Sequence, residues 1–173
     1  MLRRSLGMSA PVVLTLTSVP VAAGQCLSAS AFISAATFAS RQPVSPTGSA
    51  SCTGASPDEW GSNPAYWPGG VKSETPFQQE FGSRPLTPGF DENTTLLEVL
   101  EVSDSVEAHV TAALLNAHRG GMTAPFDSPT NVLGLWANIR ANGGYYRSGY
   151  LYAQQAAMTP EGTLDWLALT WKP

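Results

Sequence analysis

The rhythm of apolar positions changes four times along the chain. A compact apolar block runs from Met8 to Ala23, and apolar residues then thin out through residue 56. Between residues 57 and 90 the large apolar residues are isolated aromatics, Trp60, Tyr66, Trp67, Phe77, Phe81 and Phe90, set among prolines and glycines. Such spacing predicts a loop-rich segment pinned by aromatic anchors. From residue 94 onward the spacing becomes helical. Leu96, Leu97, Val99 and Leu100 make a short run, and Val106, Val110, Ala113 and Ala117 repeat at i, i+4, i+7 and i+11. Gly120-Gly121 stops that helix. Ser128-Pro129 has the cap-then-proline order of a helix start, with Val132, Trp136 and Ile139 on one face and Asn142-Gly143-Gly144 as the end signal.

Residues 94–142 therefore read as a helical hairpin accompanied by one short helix. In the tail, Tyr145, Tyr146, Tyr150, Leu151 and Tyr152 favour strand, and Thr159-Pro160-Glu161 starts a last helix carrying Leu164, Trp166 and Leu167. The expected class is mainly α, a single small domain over 52–173 with a loop-rich Trp/Pro segment (52–90), a helical core (94–142) and a tail (143–173). That tail carries a minor β element and a terminal helix or strand. An extended Ser/Ala/Thr-rich arm (24–51) precedes the domain, with Phe32, Ile33 and Phe38 as its apolar anchors.

At 173 residues the chain supports one modest core. Nine Lys and Arg against thirteen Asp and Glu leave a net charge of −4 and no basic run able to neutralise a phosphate backbone, which argues against nucleic-acid binding. Arg3 and Arg4 ahead of the apolar block, with Val21 and Ala23 as small cleavage-site residues, have the pattern of a secretory signal over 1–23. The competing reading is a buried strand over Val12–Thr17 bracketed by Pro11 and Pro20. A membrane-spanning helix fits poorly, because Pro and Thr interrupt a block already shorter than the ~20 residues required. In an exported chain Cys26 and Cys52, the two cysteines, pair most simply with each other. Without neighbouring His they cannot complete a four-ligand zinc site.

Residues able to carry chemistry are few. His109 and His118 are the two histidines, and nine residues of helix place them on opposite faces, against a shared metal. His109 is expected to bond a backbone carbonyl of the Trp/Pro segment, and His118 to favour the helix C-terminus. Asn116, polar within Ala-Leu-Leu-Asn-Ala, is expected to hold a loop backbone against the helix if buried. Glu98, Glu101, Asp104 and Glu107 recur every third residue and read as a solvated face. No nucleophile elbow, phosphate loop or metal-protease motif occurs in the sequence.

Two stretches resemble a known family. The run from Cys52 through Ser56-Pro57-Asp58-Glu59-Trp60-Gly61-Ser62-Asn63-Pro64-Ala65-Tyr66-Trp67-Pro68 resembles the cysteine-preceded Ser-Pro-Gly-Phe/Tyr-Trp-Lys-Asn-His-Pro-Glu-Ala-Trp-Pro motif of secreted or surface-associated bacterial proteins of poorly defined function. Phe81-Gly82, Thr95-Leu96-Leu97-Glu98-Val99-Leu100 and the His109–Ala117 stretch resemble that family's Phe-Gly, Thr-Leu-Leu-Glu-Ala-Leu and Arg-His-x-x-Ala-Ala-Leu-Leu-Asn-Ala segments, in the same order over residues 52–142. The resemblance implies export and a shared fold. Gly61, Ser62 and Asn63 stand where the family has Lys, Asn and His, so no role of that polar trio carries over.

The expected function is that of an exported, non-enzymatic structural or interaction protein, a subunit of an extracellular filament or matrix, without cofactor or metal. Its partner would be a second copy or another surface protein. Trp60, Pro64, Trp67, Pro68, His109, Asn116 and Trp136 are its expected structural anchors. Phe32, Ile33, Phe38, Tyr145, Tyr146, Tyr150 and Tyr152 are its expected contact surface. Two alternatives stand beside it: a surface module binding polysaccharide through Tyr145, Tyr146, Tyr150, Trp60 and Trp67, and a secreted hydrolase centred on His109.

Overall fold

A computed structural model describes residues 54–122, 126–146 and 160–168. The described residues are mainly helical: α1 (Pro57–Ser62), a 3-10 turn (Pro64–Tyr66), α2 (Phe77–Phe81), α3 (Leu96–Leu100), α4 (Val106–Arg119), α5 (Pro129–Ala141) and α6 (Pro160–Ala168). Among them, extended pairing is limited to an isolated antiparallel bridge between Pro76 and Thr95 and a bridge position at Tyr146. None of the helices is long and apolar enough to cross a membrane.

The centre of the molecule is α4. Ser105 caps it by accepting from the Ala108 amide at 3.1 Å. Gly120 ends it in the left-handed region at φ 74°, where the Gly121 N–H reaches the Asn116 carbonyl at 2.8 Å. Every residue from Val106 to Ala117 except His109 is buried. The apolar repeat at Val106, Val110, Ala113 and Ala117 predicts one stripe facing one partner; instead α1, α3, α5 and α6 all pack on this helix. A helix apolar on most of its circumference needs cover on every side. Its alanines at 108, 112, 113 and 117 let those neighbours approach closely.

The hairpin partner α5 starts at the expected Ser128-Pro129 cap, with Ser128 Oγ accepting from the Asn131 amide, and buries Val132, Leu135, Trp136 and Ile139. Trp136 meets Phe77 edge to face at 4.9 Å between centroids, and Phe77 stacks on Phe81 at 4.3 Å. Each such pair adds roughly 0.5–1.5 kcal/mol beyond its buried area. The Trp136 indole N–H donates to Ser83 Oγ at 2.8 Å, so this buried anchor also satisfies its polar atom.

The Trp/Pro segment is more regular than its spacing predicts. Ser56 and Glu59 form a capping box, the Ser56 N–H donating to the Glu59 carboxylate at 2.7 Å, with Pro57 at the first helical position. Thr95 and Glu98 repeat the device at the head of α3. Cap-to-cap pairing then joins the α2 and α3 entries: the Phe77 N–H donates to the Thr94 carbonyl at 2.8 Å, and the Leu96 N–H to the Thr75 carbonyl at 2.9 Å.

Candidate functional site

Two buried polar side chains of α4 organise the surrounding loops. Near its C-terminal end Asn116, fully buried, works as a peptide mimic. Its Oδ1 accepts from the Ala55 N–H at 2.8 Å and its Nδ2 donates to the Ala55 carbonyl at 2.9 Å. The same Oδ1 accepts from the Trp60 indole N–H at 3.0 Å, so one amide fixes both the chain entering α1 and the largest side chain of α1. Trp60 is 2% exposed, and the Arg119 guanidinium lies 5.2 Å from its ring centroid as a cation–π lid. Trp67, half-buried, donates its indole N–H to the Trp60 carbonyl at 3.0 Å. Pro64 opens the 3-10 turn between the two indoles, and Pro68 follows it. Ala55 to Pro68 is thus one clasped unit.

Near the N-terminal end the acid is Glu107. Its position in the run Glu98, Glu101, Asp104, Glu107 predicts a solvated residue, which holds for the first three and fails for Glu107, whose exposure is 0%. Its carboxylate accepts from the Leu86 N–H, from the Thr87 N–H at 2.9 Å and from the Thr87 hydroxyl at 2.6 Å. Three donors and the first turn of a helix compensate a buried charge. A carboxylate so engaged is an anchor for the 86–87 loop. The sequence carries one signal for it: Glu107 heads the stripe continued by Thr111, Leu114 and Leu115, all buried.

His109 bonds within its own helix. Its Nδ1 pairs with the Ser105 carbonyl at 3.1 Å, at the cap of its own helix and four residues back. The helical rise brings that carbonyl within reach of any residue at i+4, which a loop carbonyl must be folded into place to match. His118 is exposed in the last turn of α4. Among the described residues no group of three His, Cys, Asp or Glu side chains is placed to hold a metal ion.

The tyrosines divide. Tyr145 is 43% exposed, whereas Tyr146 packs against the core, where burial pushes its phenol above the usual range. Tyr150 and Tyr152 lie outside the described residues, as do Phe32, Ile33, Phe38, Cys26 and Cys52. The burial of Trp60 removes it from any sugar-stacking surface, because stacking needs an open ring face. An aromatic missing from the sequence reading of the surface is Tyr66, 76% exposed in the 3-10 turn. A cleft of about 330 Å³ lies between Arg84, Pro85, Phe90, Asp91, Glu92 and Asn93, bridged by the Arg84–Glu92 ion pair.

Comparison of the chain with models of protein families, with curated proteins and with solved structures finds no match.

Proposed function

We propose that the chain is an exported structural or interaction protein that self-associates, with residues 24–51 as the element that reaches a neighbouring copy. The observation that carries this reading is the Asn116 clasp. By bonding both the N–H and the carbonyl of Ala55, it fixes the direction as well as the position of the backbone entering the helical head. An arm rooted at a rigid point loses less freedom on docking than one rooted in a mobile loop, so its contacts retain more of their free energy. Tyr66, exposed beside the clasped unit, adds an aromatic contact close to that root. Export is part of the proposal and rests on the Arg3–Ala23 pattern.

The test is negative-stain electron microscopy and sedimentation of the secreted protein at physiological salt, beside a variant lacking residues 27–51. Ordered filaments or sheets that disappear in the deletion are expected. Monodisperse small particles from the intact chain, or assemblies indifferent to the deletion, would overturn the reading.

A further inference from the structure

We propose that residues 54–67 are an exchangeable plug, which docks between α3 and α4 of its own chain or of a second copy, with the turn at Pro68–Val71 as the hinge. The inference rests on the self-association reading above and adds to the arm a second contact between copies. Three observations carry it.

First, the plug is organised from within. The Ser56–Glu59 capping box and the Trp67 indole bond to the Trp60 carbonyl join plug residues to plug residues, so the unit keeps its shape when it moves. Second, its docking contacts converge on α3 and α4. They are the Asn116 amide, the Arg119 lid over Trp60, and Gly61 against Leu100. A receptor built from two helices downstream in the chain is equally present on any other copy. Third, the connection is open at its glycines, beyond which Val71, 7% exposed, anchors the chain in the core. Val71 N–H closes a turn on the Pro68 carbonyl at 3.3 Å, Gly70 sits at φ +102°, and a Cβ at Gly69 or Gly70 would meet nothing within 4 Å. Straightening this turn breaks that single hydrogen bond and no side-chain packing at the glycines, while the docked surface re-forms in trans. That balance is the condition for segment exchange between identical chains.

Position 61 supplies a direct probe. A Cβ at Gly61 would lie 3.5 Å from the Leu100 Cβ, inside the roughly 3.5–4.5 Å range of a disulfide. Isotope-labelled full-length chain carrying Gly61→Cys is mixed with unlabelled chain carrying Leu100→Cys, incubated, oxidised and digested. A disulfide between positions 61 and 100 that joins a labelled to an unlabelled peptide, with a yield that rises with protein concentration, is the expected result. Added to both cysteine variants, Gly70→Ala strains the closed turn and leaves an extended hinge unaffected. It should raise the exchanged fraction, read as the yield of the mixed-isotope disulfide, about fivefold. Assemblies in sedimentation without any mixed-isotope peptide would overturn exchange while leaving self-association intact. An unchanged exchanged fraction in Gly70→Ala would overturn the hinge. A chain monomeric at every concentration would overturn the self-association reading together with this one.

Discussion

Asn116 and Glu107 both reach out of α4 to hold a loop, and they stand nine residues apart, which at about 100° per residue sets them on opposite sides of the helix. Asn116 offers a donor and an acceptor to a donor and an acceptor, as one peptide group meets another. Glu107 offers only acceptors and receives three donors. Bonds to an ionised group are roughly twice as strong as neutral ones, yet the charge must be kept satisfied at all times. A neutral clasp strands no charge when it opens, since water or another peptide group can take the place of its partners. The charged clasp has no cheap open state. The two ends of α4 therefore hold their loops by different means, the 86–87 loop through a charge and the Ala55–Pro68 unit through a neutral amide.

The comparison can be broken most sharply at Glu107. Glu107→Leu strands the Leu86 and Thr87 amides and the Thr87 hydroxyl, and should lower unfolding free energy in urea by about 4 kcal/mol. Asn116→Leu leaves the Ala55 N–H and carbonyl and the Trp60 indole N–H unpaired. A loss of about 3 kcal/mol is expected, and the backbone near Ala55 should open to protease before global unfolding. Equal protease sensitivity at Ala55 and at Thr87 in the parent chain would erase the distinction between the two clasps.

The smallest effect lies at the entry to α3. The backbone N–H of Asn93 holds the Asp91 carboxyl below its ordinary value, and the Thr95 N–H does the same for Glu98. Folded values below the unfolded ones mean that these groups support the fold above pH ~4 and that the support is lost as pH falls through the folded values. Amide exchange at Asn93, Thr94 and Thr95 should accelerate below that pH, while exchange within α4 stays unchanged. Because both carboxylates are exposed, the change should be local.

What the sequence made legible follows from the range of the interactions involved. Helix starts and stops at Ser128-Pro129 and Gly120-Gly121 are local signals, and the structure places α4 and α5 between them. Asn116 was legible because a lone amide in an apolar run has to find a partner, although which partner depends on the path of residues 54–60. Ser56-x-x-Glu59 was an available signal for α1 that the surrounding prolines obscured. Glu107 was misread because a three-residue acidic period matches a solvated face, and only the return of the 86–87 loop buries it. The nearly complete cover of α4 was likewise hidden, since alanine fits a buried face and an exposed one equally well.

The end of α5 and the start of α6 have a consequence for tolerance to change. A Cβ at Gly144 would lie 3.8 Å from the Pro160 ring, so the backbone that departs after Tyr146 rejoins the helical head beside its point of departure. Where two ends are already neighbours, the closure penalty grows only with the logarithm of what lies between, and doubling that length adds about 0.6 kcal/mol. A change in chain length between Tyr146 and Pro160 thus adds little to the cost of holding the end of α5 and the start of α6 side by side.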